Sequence, residues 1–256
     1  MKLLLYILSM FRAVFLIAGM IVWMIFYFFT LIFVRHSKER ALELRHTYLK
    51  YFAVPLLGLK IEKEGNPADQ IVMYVANHRS FADPIVICRY LKAFVVAKAE
   101  VASYPIINYG AQLTGVLYVK RDDKNSRNTV RRMIIETIKS GYNILVFPEG
   151  TVGLKRGTLE FKIGAFAEAV KNKIPIVPIA IEYKSEADLW LTPNFVKQFL
   201  NMFAKISTHV KVSFGPKIIT EDVDVAYTEA HGWIQHKMFQ MQEGWSEINF
   251  DKYNNG

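Results

Sequence analysis

The sequence predicts an α/β fold: a mixed, largely parallel sheet covered by helices, with an N-terminal membrane-anchoring helical segment. Three observations predict it. Short apolar runs rich in β-branched residues recur along the chain, most of them running directly into polar residues. Amphipathic or charged stretches of helical length separate these runs, and alternating strands and helices give a sheet covered on both faces. One long apolar segment stands at the start of the chain. A chain of 256 residues accommodates one sizeable domain and an anchor. The reading divides it into an anchoring segment, 1–52, and a domain, 53–256.

From Leu3 to Val34 the one charge is Arg12. The uncharged run Ala13 to Val34 exceeds the ~20 residues that cross a hydrocarbon core. It is too long for a cleaved signal peptide, and no small-residue cleavage site follows it. Arg35, Lys38, Arg40 and Arg45 come directly after. If the run spans, the positive-inside rule puts the following domain in the cytoplasm, at the inner membrane. Arg12 also permits a second geometry. The apolar segment and the charged stretch after Arg35 form a helical hairpin that dips into one leaflet.

His36 to Phe52 is charged and periodic, a helix. Leu57 to Glu64 alternates, a strand, and Gly65-Asn66-Pro67 is a turn. Buried strands are expected at Ile71 to Ala76, Phe94 to Ala97, Val116 to Val119, Asn143 to Phe147, Ile176 to Glu182 and Val210 to Phe214. Helices are expected at Pro84 to Leu91, Pro105 to Leu113, Asn125 to Ser140, Lys162 to Asn172 and Val225 to Glu243. The single cysteine, Cys88, excludes an internal disulfide, and its apolar surroundings suit a buried, inert thiol. The net charge of +9 suits anionic lipid head groups or phosphorylated substrates. A nucleic-acid partner accounts for the charge but not for the anchor.

The polar clusters at the strand ends carry the chemistry, because ligands of α/β sheets bind outside the carboxyl ends of the strands. The first is Asn77-His78-Arg79-Ser80-Phe81-Ala82-Asp83. His78 and Asp83 do not share a helical face at this spacing. They meet if a tight turn separates them, and the carboxylate then fixes the imidazole tautomer and raises the basicity of the other nitrogen. Asp83-Pro84 is also a helix start, with Asp as N-cap and Pro first in the helix. The two roles are compatible. The second cluster, Phe147-Pro148-Glu149-Gly150-Thr151, supplies a carboxylate, a glycine and a hydroxyl. The third, Gly115 to Arg121, ends a strand in Lys120 and Arg121, and Arg suits bidentate contact with phosphate. Lys98 is a further cation at a strand end. No second His or Cys lies near the motif at metal-ligand spacing.

In order, these segments resemble the motif blocks of the 1-acyl-sn-glycerol-3-phosphate (lysophosphatidic acid) acyltransferases. Asn77-His78…Asp83 is similar to that family's N-H-x-x-x-x-D block, Gly115 to Arg121 to its G-x-x-F-I-x-R block and Phe147 to Thr151 to its F-P-E-G-T-R block. Ile176-Val177-Pro178-Ile179 resembles its V-P block, and Phe161 to Phe166 follows its F-K-x-G-A-x pattern. The resemblance implies a membrane-bound enzyme of phospholipid biosynthesis that uses no metal or cofactor. His78, oriented by Asp83, takes the proton of the acceptor hydroxyl, which attacks the thioester of an acyl carrier protein or coenzyme A. Backbone N–H groups near the motif stabilise the oxyanion, and Ser80 is not a nucleophile. Lys98, Arg121, Glu149, Gly150 and Thr151 hold the head group. Where the family's third block ends in Arg, this chain has Val152, and Lys155 or Arg156 is a candidate substitute. The acceptor is therefore lysophosphatidic acid or a lysolipid with another head group, such as a lyso-ornithine or lysoglycine lipid. Two other readings stay open: a non-catalytic lipid-binding protein, and a His–Asp hydrolase.

Overall fold

The computed structural model describes residues 1–98, 105–119 and 124–253. Among them, seven strands form one sheet: β1 (Leu59–Glu64), β2 (Met73–Ala76), β3 (Ala93–Lys98), β4 (Val116–Val119), β5 (Asn143–Val146), β6 (Ile176–Tyr183) and β7 (Thr208–Phe214). The order across the sheet is β1-β7-β6-β2-β5-β3-β4. Every neighbouring pair is parallel except β6 and β7. The helices are α1 (Lys2–Thr30), α2 (Lys38–Tyr48), α3 (Val54–Leu56), α4 (Asp83–Cys88), α5 (Pro105–Leu113), α6 (Lys124–Lys139), α7 (Gly164–Lys171), α8 (Phe195–Phe203) and α9 (Val223–Gln242). The mixed, largely parallel sheet with covering helices is the predicted fold class.

The pleat divides the core in two, because successive side chains of a strand point to opposite faces. Tyr74, Ala76, Val177, Ile179 and Ile181 face α4 and α8. Met73, Val75, Ile176 and Ala180 face α6, α7 and α9. β2 and β6 are buried along their whole length, which explains their continuous apolar runs. Because β2, β5, β3 and β4 are parallel and adjacent, their carboxyl ends share one edge of the sheet.

α8 is an element without a counterpart among the expected ones. Asn194 caps it by accepting the Lys197 N–H at 2.9 Å, and Phe199, Met202 and Phe203 enter the core beside Phe81. The signal for it was Asn194 at the head of an amphipathic run. Cys88 is buried, and burial pushes its thiol pKa up.

α1 runs unbroken past Arg12. Arg12 is buried and turned into the protein, donating to the carbonyls of Leu56, Phe203, Lys205 and Ile206. A guanidinium with five N–H donors satisfies several free carbonyls at once. Gly58, at φ +68°, makes room for it, since a Cβ there would lie 2.5 Å from the Arg12 guanidinium. α2 doubles back along α1. The Tyr48 hydroxyl donates to the Leu16 carbonyl at 2.5 Å, and Trp23 packs on Tyr48 and Phe52. A π-helical turn, Leu49–Ala53, carries α2 directly into α3, and Tyr48, Leu49, Ala53 and Val54 join the same core as the sheet.

Candidate active site

β2 delivers the first cluster. Asn77 ends the strand by bonding both ways to the Ile181 backbone of β6, at 2.9 and 2.8 Å. His78 follows, and its main chain is held from two sides by the segment after β5. Its N–H donates to Glu149 Oε1 at 3.1 Å, and its carbonyl accepts the Gly153 N–H at 2.7 Å. Its ring stacks on Phe147 with centroids 4.4 Å apart. The imidazole is therefore fixed in position, and its side chain remains 16% exposed.

His78 Nδ1 lies 2.7 Å from Asp83 Oδ2. The same oxygen accepts the N–H groups of Arg79 at 2.7 Å and Ser80 at 3.0 Å. Asp83 Oδ1 accepts the Tyr183 hydroxyl at 2.8 Å. Burial first, and the neighbouring Asp83 second, hold the Tyr183 phenol well above its ordinary pKa, so it acts as a donor. With its partners all donating, the carboxylate acts as acceptor. That assigns the imidazole proton to Nδ1 and leaves the Nε2 lone pair for a substrate proton.

The capping role expected of Asp83 is not made. The helix begins at Asp83 itself, and the carboxylate turns back to residues 78–80 instead of forward along the helix. The physical reason is the number of donors behind it, including Tyr183 from across the sheet. The N–H groups of residues 78, 79 and 80 are likewise occupied by Glu149 and Asp83. An oxyanion therefore has to find its donors outside those three. Ser80 is buried, with its hydroxyl against Met202.

Glu149 is 5% exposed, and its carboxylate also accepts the Leu159 N–H at 3.4 Å. It faces inward and fixes the His78 main chain. Thr151 is exposed, and Gly150 adopts φ +72° in the same turn. β3 ends at Lys98 on the shared edge. Arg121 lies outside the described residues.

Arg79 carries no site role in the sequence reading, yet it ties down the segment that follows the second cluster. It is buried, donating to the carbonyls of Gly153, Lys155 and Arg156 and to Glu182 Oε2 at 2.9 Å. Gln242 of α9 donates to the same Glu182 oxygen at 2.7 Å. Glu182 in the otherwise apolar strand β6 was the signal that a buried cation faces it.

Burial pushes Glu149 up from 4.5 to about 7. A carboxylate raised in the folded state contributes stability below 4.5 and loses it as pH rises through about 7. The difference corresponds to about 3 kcal/mol. Glu149→Gln keeps an acceptor for the His78 N–H and does not titrate. Its stability relative to the native chain should therefore rise by about that amount from pH 4.5 to pH 7.5. Urea unfolding of both proteins across that range checks this, and a pH-independent difference would refute it.

Residues 59–182 match the family model described as Acyltransferase. The chain is 30% identical to the lyso-ornithine lipid O-acyltransferase of Rhodobacter capsulatus over 134 residues, covering 51% of this chain and 48% of that protein. It is 28% identical to the 1-acyl-sn-glycerol-3-phosphate acyltransferase of Salmonella typhimurium over 198 residues, covering 70% of this chain and 80% of that one. The match to the R. capsulatus protein and to the Neisseria 1-acyl-sn-glycerol-3-phosphate acyltransferases spans about half the length of those relatives. The fold is that of the crystal structure of PlsC, the 1-acyl-sn-glycerophosphate (LPA) acyltransferase of Thermotoga maritima. The TM-score is 0.70 at 22% identity, covering 96% of this chain and 98% of that one. The His78–Asp83 pair lies inside residues 59–182, the segment that matches the Acyltransferase family model.

Proposed function

We propose that the chain transfers a fatty acyl group from an acyl thioester to the free hydroxyl of lysophosphatidic acid, forming phosphatidic acid. The observation that carries this reading is the imidazole of His78, held by Asp83 at a strand end with Nε2 free to accept a proton. His78 takes the hydroxyl proton as the oxygen attacks the thioester carbonyl. The tetrahedral intermediate collapses, its carbon–sulfur bond breaks, and the imidazolium returns the proton to the departing thiolate. Acyl carrier protein or coenzyme A supplies the thioester. Lys98, Arg121, Gly150 and Thr151 serve the head group, and Glu149 serves it indirectly by fixing His78.

α1 is the anchor in this reading. Its exposed side includes Leu4, Ile7, Phe11, Val14, Ile25 and Phe29, a surface suited to the acyl chains of the bilayer in which the acceptor is dissolved. The basic residues after it accord with a domain on the cytoplasmic side of the inner membrane.

A second acceptor class has its own support. Val152 stands where the family's third block has Arg, and the relative from R. capsulatus is named for lyso-ornithine lipid. An acceptor panel separates the two. The purified full chain is given acyl-CoA or acylated carrier protein with lysophosphatidic acid, lyso-ornithine lipid or lysoglycine lipid. Lysophosphatidic acid should be acylated fastest. Faster turnover of another lysolipid transfers the assignment to it. Fatty acid release independent of acceptor would mean a hydrolase, and binding without turnover a lipid-binding protein.

A further inference from the structure

We propose that Lys162 is the cation that receives the anionic oxygen of the acceptor's head group, at a turn where position 152 carries Val and no cation. This rests on the acyl-transfer reading above. Gly150 lies at φ +72° in the turn after β5, a backbone conformation that side chains rarely adopt. The space its missing side chain leaves is filled by Lys162. A Cβ on Gly150 would lie 2.6 Å from Lys162 Nζ, 2.9 Å from Cε and 3.4 Å from Cδ. The outer half of the lysine therefore lies across the glycine. Its main chain is tied to the same turn, the Lys162 N–H donating to the Pro148 carbonyl at 2.9 Å.

This turn is joined to the base. Phe147 at its start stacks on the His78 ring, and Gly153 just beyond it holds the His78 carbonyl. Lys162 is exposed, and among the described residues its ammonium has no acidic partner and no hydrogen bond. A second cation lies over a glycine two residues further along the chain: Arg131 of α6 covers Gly164, the first residue of α7, where a Cβ would meet its guanidinium. Arg156, one of the sequence candidates for the missing Arg, is turned elsewhere. Its guanidinium lies 5.4 Å from the Phe239 ring centre and its Nε 3.4 Å from Gln242 of α9. An ammonium with no partner among the described residues, resting on the turn that braces the base, is placed for the head group of a lipid whose hydroxyl meets that base. Phosphate and carboxylate oxygens are both anionic acceptors for it.

The test is steady-state kinetics of Lys162→Gln in the full chain, in mixed micelles with acyl-CoA, on lysophosphatidic acid and on lyso-ornithine lipid. KM for the acceptor should rise at least tenfold, kcat should change far less, and the thermal midpoint should stay unchanged because residue 162 is exposed. A rise confined to lysophosphatidic acid assigns the site to phosphate, and one confined to lyso-ornithine lipid to a carboxylate. Lys162→Arg should keep KM within threefold, and Val152→Arg combined with Lys162→Gln should recover much of the loss. An unchanged KM on both acceptors, or a loss in kcat alone, overturns the proposal. A native chain that acylates no lysolipid would instead sink the acyl-transfer reading, so the two failures are distinguishable.

Discussion

Replacing His78 with alanine should lower the turnover of acyl transfer by about 10²–10⁴-fold, the usual contribution of a general base. The loss should fall on kcat, because the imidazole acts on the proton that moves in the transition state. The domain should stay folded. Asp83 keeps three donors in the variant: the N–H groups of Arg79 and Ser80 and the Tyr183 hydroxyl. The main chain of residue 78 stays tied to Glu149 and Gly153. Stacking on Phe147 is lost, at about 1 kcal/mol. The check is acyl transfer by the purified variant together with its thermal melt. Near-normal turnover in a folded variant refutes the role of His78.

Arg79→Ala should be the most destabilising single change near the site, at about 3–5 kcal/mol. The Arg79–Glu182 pair is almost fully buried, with side-chain exposures of 1% and 0%. Deleting the guanidinium leaves Glu182 with Gln242 as its remaining side-chain donor and releases the carbonyls of Gly153, Lys155 and Arg156. Gly153 holds the His78 carbonyl, so activity should fall along with stability. Denaturant unfolding measures the first effect and acyl transfer the second. Arg79→Met with Glu182→Leu removes both charges and should regain much of the lost stability, because a buried ion pair is often replaceable by apolar residues of similar size. A loss below about 1 kcal/mol for Arg79→Ala would show that the pair does not hold the loop.

Much of the site was legible because its residues lie close together in the chain. His78 and Asp83 are separated by one tight turn, so spacing alone allowed their meeting. Glu149, Gly150 and Thr151 follow a buried strand, which located them at the sheet edge. The direction of a side chain was not legible. Glu149 and Thr151 lie two residues apart, yet one is buried against the His78 main chain and the other is exposed. Asp83 had two compatible partners by sequence, the helix it starts and the His before it. Tyr183, a hundred residues away, joins the donors on the His side.

Arg12 shows the same division. As the one charge in an apolar segment it left two geometries open, a spanning helix and a hairpin that dips into one leaflet. In the fold it binds four carbonyls, three of them from residues about 190 positions later. Local pattern by itself determined the alternation of strands and helices, the apolar first helix and the polar strand ends, because burial on a strand or helix face imposes a period on neighbouring residues. Tertiary structure alone decided that Glu149 turns inward to the His78 main chain, which cation braces the loop after β5 and which lysine lies on Gly150. Those outcomes depend on donors and acceptors brought together from distant strands, and a buried polar group settles wherever its hydrogen bonds are made.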